Sequence, residues 1–331
     1  MSDRNAYIAS VAAYAPERVV ANAFFNELLG EDVDAWLSNN VQIYERRWCA
    51  PDESTADLCE RAALQALERA GIQPEELDLI VLATDTPEFV SPSTASVVQH
   101  RLGARRAGTF DINTACAGFV TALDVGAKYI QADDRYDKVL VIGGYAMSKY
   151  LNLEDKKTVT LFADGAGAVV LRAGTGKNRG FIGSELRTKG EYHSWMGIYG
   201  GAARMPASQE LIANHGHQLQ FVQKFPKELN PEMWSDMAIA LCQRAGLKPQ
   251  DIQHYFITQI NINAIWETMD RLETPRTRAT TVMHRFGYTG SACIPMAFNQ
   301  AWEAHSIRPG DLCLFIGSGG GLAFASALFR M

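Results

Sequence analysis

Cys116 stands alone in "DINTACAGFV" (111–120), flanked by small residues and followed by an apolar run that reads as a helix from about Ala115. A cysteine in the first turn of a helix meets unpaired backbone N–H groups and the positive end of the helix dipole. Both favour thiolate, the form that attacks electrophiles and accepts acyl groups. The same residue type is also a common small core hydrophobe, and its position alone leaves both readings open. A second chemical feature is "FIGSGGGLAFASALF" (315–329), where Gly319, Gly320 and Gly321 follow a buried strand. Consecutive glycines present backbone N–H groups at close range, as an oxyanion site requires, or else make a tight turn. "LFADGAGAVVL" (161–171) reads as a strand–turn–strand piece that brings backbone close to a neighbour. Neither glycine segment has the spacing and strand-to-helix setting of a dinucleotide fingerprint or a phosphate-binding P-loop, so nucleotide binding is excluded. Four histidines, His193, His215, His217 and His284, are near enough in sequence to approach a pocket, but none is assigned a catalytic role.

The elements that position these residues come in two copies. "AALQALERAGIQPEELDLIVLATDT" (62–86) resembles "MAIALCQRAGLKPQDIQHYFITQIN" (237–261) at an offset of 175, so that Ala70-Gly71 falls on Ala245-Gly246 and Pro74 on Pro249. Each copy reads as a helix ended by glycine, a proline-containing turn and a buried strand. The same offset places Cys116 on Ser291, and "YDKVLVIGG" (136–144) pairs with "GDLCLFIGS" (310–318) at 174. This order predicts two similar α/β halves, 1–175 and 176–331, joined at the "RAGTGKNRG" turn (172–180), each with a mostly buried sheet under helices. The segment 194–220 lacks a clear period and reads as a long surface connection of the kind that covers substrates.

Bulk properties narrow the classes. The formal charge of −6 and the absence of a basic stripe argue against a nucleic-acid surface. Arg101, Arg105 and Arg106 form the densest cationic group, read as a solvated helix end or a small patch for a phosphate or an acidic carrier protein. No apolar window is long enough to span a bilayer and the N-terminus lacks a signal-peptide pattern, so a cytoplasmic protein is expected. The six cysteines have neither disulfide-framework nor metal-ligand spacing and read as free thiols.

Taken together, "DAWLSNN", "AGIQPEELDLIVLATDT", "DINTACAGF", "LFADGAGAVVL", "GYTGSACIPMAF", "RPGDLCLFIGSGGG" and "ASALFRM" make the chain resemble, over nearly its whole length, the β-ketoacyl-ACP synthase III family of the thiolase superfamily. The resemblance implies a thiolase-like fold of two duplicated halves in a five-layered α/β/α/β/α sandwich. It also implies a homodimer, or a heterodimer with a related chain. Cys116 takes the place of the acyl-accepting nucleophile, with its own N–H and that of Gly320 as oxyanion hole. Trp36 matches an aromatic that stacks on the adenine of coenzyme A. Asn40 and Lys156 stand where the family carries arginines at the coenzyme A end. "TDTPEFVSPST" (84–94) stands where the dimer mate closes the acyl pocket. Two departures bear on chemistry: Gln259 in "TQININ" replaces the catalytic histidine, and Tyr288 in "GYTG" replaces the catalytic asparagine. Both replacements can donate hydrogen bonds, but neither serves as a base near pH 7. Loss of a general base typically costs roughly 10²–10⁴-fold in rate. The leading expectation is therefore an acyltransferase of specialised fatty-acid or polyketide-type biosynthesis. It would load Cys116 from acyl-CoA or an acyl carrier protein, with no bound cofactor beyond that thioester and no metal. The alternatives are decarboxylative condensation with Gln259 and Tyr288 as enolate donors, or a non-catalytic partner of an active paralog.

Overall fold

A computed structural model describes residues 4–176 and 178–331; residues 1–3 and Lys177, inside the 172–180 connection, lie outside the described residues. Two sheets organise the chain. The first contains β1 (Arg4–Tyr14), β2 (Leu79–Ala83), β3 (Gly108–Ile112), β4 (Lys138–Ala146) and β5 (Asp164–Thr175), in the order β1-β5-β4-β2-β3. The second contains β6 (Gly180–Thr188), β7 (His254–Ile257), β8 (Leu312–Gly319) and β9 (Ala323–Arg330), in the order β7-β8-β9-β6. In each, a parallel pair (β2 with β4, β7 with β8) continues into antiparallel neighbours. Every residue of β2 is buried, as the unbroken run "LIVLA" requires of a strand covered on both faces. The second sheet is one strand short: where β3 stands in the first, Ala279 makes a single parallel bridge to Tyr255.

Helices α1 (Thr55–Ala70) and α2 (Thr94–Leu102) cover the outer face of the first sheet. Between the sheets lie α3 (Gly118–Ala132) and α6 (Cys293–Glu303), and α4 (Leu229–Arg244) and α5 (Ile262–Arg271) form the far layer. Five layers result. Local signals set the boundaries: a Ser54–Asp57 capping box opens α1, and Gly71 in the left-handed region closes it. The inner helix α3 touches β1, β2 and β4 of one half and β8 and β9 of the other. Its buried stretch from Gly118 to Asp124 leaves no side for solvent.

The two halves interlock through glycines at equivalent positions. A Cβ at Gly143 on β4 would collide with the carbonyl of Ser291, and one at Gly317 on β8 would lie 2.8 Å from the Ala117 Cα. Each strand thus receives the small-residue turn of the opposite half, which brings Cys116 and Ser291 to the shared interior. "LFADGAGAVVL" differs from expectation. It contains no internal turn; Asp164–Thr175 is one continuous strand. Its glycines make room for a helix, since a Cβ at Gly167 would lie 2.5 Å from the Pro295 Cβ of α6.

Candidate active site

The Cys116 turn is built from short-range contacts. After β3, the Asn113 side-chain oxygen accepts a hydrogen bond from the Ala115 N–H at 3.1 Å, and Ala115 takes a φ of 46°. That left-handed conformation is unfavourable for a residue with a Cβ, and it turns the chain sharply into the helix. Residues Ala115–Ala117 form a 3₁₀ turn and α3 begins at Gly118, so Cys116 precedes the α-helix expected to start near Ala115. From the other half, the end of β8 presses on this turn. A Cβ at Gly319 would lie 2.5 Å from both the Cys116 nitrogen and the Thr114 oxygen. The triple glycine is a β8–β9 hairpin turn whose backbone lies against the cysteine.

Cys116 forms part of the wall of a cavity of about 220 Å³, with Asp85, Tyr145, Phe162, His193, Gly320 and others around it. Part of the 194–220 segment forms a wall of the same cavity: Met196–Ile198 pairs antiparallel with Leu219–Phe221, and Met196, Gly197, Ile198 and Leu219 line it. Of the four histidines considered, His193 lines it. His284 lines a separate cavity beside Tyr14 and Arg285, and burial lowers its pKa. His215 bonds Gln218 at 2.8 Å.

The electrostatics of the thiol differ from the helix-dipole expectation. Burial pushes the Cys116 thiol well above its ordinary value, and the negative charge of Asp85 adds to the shift. Interaction with the neighbouring Tyr288 hydroxyl pulls the other way. Tyr288 is itself 2% exposed, and burial, followed by the charge of the thiolate, holds its own proton on. Cys116 is therefore a neutral thiol beside a neutral phenol.

Gln259 does not join this group. It is fully buried, and its amide nitrogen donates to the carbonyls of Ile257 (2.9 Å) and Thr280 (3.2 Å). Its amide oxygen accepts from the Val282 N–H at 2.9 Å. All the amide's donors are thus spent on backbone, and the enolate-donor role expected of Gln259 is corrected to a structural one.

Trp36, Asn40 and Lys156 lie outside the cavity wall. Trp36 is 53% exposed and ends a short helix (Asp34–Trp36) that runs into a π-helix, Leu37–Val41. The Asn40 amide donates to the Trp36 carbonyl at 3.0 Å, and its own carbonyl accepts from Asn263 at 2.8 Å. The Lys156 ammonium, at the start of the short helix Lys156–Val159, is bonded to Glu31 at 2.9 Å, which ties that helix to the loop before Trp36. In the arginine group, Arg101 pairs with Asp57 at 2.8 Å and Arg106 with Asp78 at 3.5 Å.

Three residues of the site escaped the sequence reading: Asp85, Tyr145 and Cys293. Asp85 carried a signal, a carboxylate two residues after a wholly apolar buried strand in "LIVLATDT". Tyr145 ends β4 against Gly290, where a Cβ could not fit beside its ring.

Two α/β halves stacked in five layers, with a cysteine turn of one half against a glycine hairpin of the other, define a thiolase-like fold. The comparisons agree. Family models for 3-oxoacyl-[acyl-carrier-protein (ACP)] synthase III match residues 110–190, and for its C-terminal part residues 242–331. A β-ketoacyl-[acyl-carrier-protein] synthase III of Desulfitobacterium hafniense is 35% identical over 98% of this chain and 97% of its own length. The crystal structure of 3-oxoacyl-(acyl carrier protein) synthase III from Pseudomonas aeruginosa superposes with a TM-score of 0.89 at 30% identity, covering 98% of each chain. A priming β-ketosynthase from the R1128 polyketide biosynthetic pathway gives 0.87 at 26% identity, covering 100% of this chain and 98% of its own. The chain belongs to the 3-oxoacyl-ACP synthase III family. No described helix is long and apolar enough to cross a membrane.

Proposed function

We propose that the chain is an acyltransferase that loads an acyl group from coenzyme A or an acyl carrier protein onto Cys116 and passes it to an acceptor nucleophile. The observation that carries this reading is the split fate of the two replacements. Tyr288 acts on the Cys116 thiol and lowers its pKa, whereas the Gln259 amide is used up by backbone. A thioester exchange needs an acceptor sulfur and an oxyanion site, here the N–H groups of Cys116 and Gly320 beside the cavity. Decarboxylative condensation needs in addition a pair of donors on the enolate oxygen, and one member of the replaced pair faces elsewhere.

In the loading step the Cys116 sulfur bonds to the thioester carbonyl carbon and the donor's C–S bond breaks. The thiol proton ends on the departing thiol. The second step repeats this with the acceptor, and Cys116 regains its proton. Exposed Trp36 is suited to stacking on an adenine, and Asn40 and Lys156 flank it at the donor's entrance. Phe89 and Val90, the latter 86% exposed, present apolar surface to a second copy or a related chain. The resemblance to a priming β-ketosynthase favours a role at the start of a fatty-acid or polyketide-type chain.

The test is incubation with labelled acyl-CoA and labelled malonyl thioester, following covalent adducts and released CO₂. Acyl-Cys116 without CO₂ release coupled to chain extension is expected. Extension with CO₂ release would replace this reading by condensation.

A further inference from the structure

A neutral, buried thiol has to lose its proton as it attacks, and the groups so far placed around Cys116 do not accept one. Tyr288 is held neutral by burial and so keeps its proton, and Gln259 does not titrate. His193 is exposed, with Nδ1 3.1 Å from the Gly190 carbonyl oxygen. Asp85 differs from all of these. It lines the Cys116 cavity, and its Oδ1 is buried without a hydrogen-bond partner among the described residues.

The loop after β2 is fixed on both sides of this carboxylate. The Thr84 N–H donates to Ile112 at 3.1 Å, and the Thr86 N–H to Thr84 Oγ1 at 3.0 Å. Thr86 Oγ1 accepts from the Ala146 N–H at 2.9 Å, and the Thr86 carbonyl accepts from Thr55 at 2.5 Å. Asp85 makes none of the usual structural contacts of a half-buried acid: it has no salt bridge among the described residues and caps no helix. Its charge acts instead on two buried acids, Cys116 and Tyr145, and on half-buried Tyr150. A carboxylate with an unpaired buried oxygen is costly, and such groups concentrate where chemistry is done.

We propose that Asp85 is the proton acceptor and donor for acyl transfer at Cys116, in the place of the missing histidine. The inference rests on the acyl-transfer reading above. As the Cys116 sulfur adds to the donor carbonyl, its proton passes to Asp85, and from there to the sulfur that leaves. When the acceptor adds to acyl-Cys116, its proton passes to Asp85 and then to the Cys116 sulfur as it departs. No co-reactant is consumed. Burial pushes the Asp85 carboxyl up to about 6, so at pH 7 it is ionised yet close to the range that serves a proton shuttle best.

The experiment compares wild type with Asp85→Asn and Asp85→Glu in the full chain, using acetyl-CoA and octanoyl-CoA as donors and intact mass against time. Asp85→Asn is expected to slow formation of acyl-Cys116 by roughly 10²–10⁴-fold at pH 7, with partial return in Asp85→Glu. A second readout separates a base from a bystander charge. Removing the negative charge makes the thiol more acidic, so the pH midpoint of Cys116 alkylation by iodoacetamide moves down in Asp85→Asn while acylation slows. Wild-type acylation should lose rate as pH falls through about 6. The facing groups Cys116, Tyr145, Tyr150 and Tyr288 stay neutral there, their pKa values all being raised. His193 lines the same cavity, so the acid limb must persist in His193→Gln. Acylation of Asp85→Asn at the wild-type rate or faster, or an acid limb that vanishes with His193, overturns the proposal. Wild type that takes no acyl group from any donor fails earlier, at the acyl-transfer reading itself.

Discussion

Gly319→Ala tests whether the glycine hairpin of one half sets the Cys116 turn of the other. The added Cβ would lie 2.5 Å from the Cys116 nitrogen, 2.5 Å from the Thr114 oxygen and 2.9 Å from the Ala115 Cβ. Ordinary contacts at such a position begin near 3.4 Å, so hairpin and turn must part by about 3.4 − 2.5 = 0.9 Å. Two of the three atoms are backbone and the third is fixed to it, so no side chain can rotate away. Overpacking of this kind costs about 1–3 kcal/mol. At roughly 2–4 °C per kcal/mol for domains somewhat smaller than this one, the melting temperature should fall by several degrees. A displacement near 1 Å also carries the Cys116 N–H away from the oxyanion position, and misplacement on that scale can cost on the order of 10²-fold in rate. The assay pairs a thermal melt with the time course of acyl-Cys116 by mass spectrometry. Gly320→Ala is the control, because its nearest neighbours would be at 3.4 and 3.9 Å and its N–H is kept. A Gly319→Ala protein with wild-type melting and acylation would refute the contact, as would equal damage from Gly320→Ala.

Tyr288→Phe removes the hydroxyl beside the Cys116 sulfur. At about 1.5–3 kcal/mol for a hydrogen bond to a charged group, acylation at pH 7 should slow by roughly 10–10²-fold, checked by the same mass time course. Gln259→Ala strands the Val282 N–H and the Ile257 and Thr280 carbonyls, at about 1–3 kcal/mol each. It should lower denaturant stability by several kcal/mol while folded protein still acylates, the reverse of what a catalytic glutamine would give. Asp85→Asn should stabilise the fold at pH 7. The Asp85 pKa is raised from 3.8 to about 6, so above pH 6 the native state holds a buried anion that the unfolded chain would solvate. The relief, up to about 3 kcal/mol from two pKa units, shrinks as pH falls from 6 towards 4; melts across that range read it.

The duplication was legible in the sequence because it repeats strong local signals. A helix stop at Gly71, a buried run at 79–83 and the Cys116 turn recur near an offset of 175 with their chemistry intact. The reach of Cys116 to the opposite half followed from that symmetry. The direction of single side chains did not. Gln259 follows a buried strand and was read as facing the site, but its amide found three backbone partners within its own half. "LFADGAGAVVL" looked like a turn because its glycines were credited with bending the chain, whereas they clear space for Pro295 and Met296 of a distant helix. Asp85 was overlooked because a lone acid after a strand resembles any loop residue until its neighbours are known. The partners of Lys156 and Arg101, Glu31 and Asp57, lie 125 and 44 residues away, and no local pattern announces either pair.

The most direct measurement is the intact mass of wild type and Cys116→Ala after exposure to acyl-CoA and acyl carrier protein donors, followed by mapping of the modified peptide. Wild type should gain one acyl mass, located on Cys116, and Cys116→Ala should gain none. An unmodified wild type with every donor, or an equal adduct on Cys116→Ala, would contradict a nucleophilic role for this cysteine.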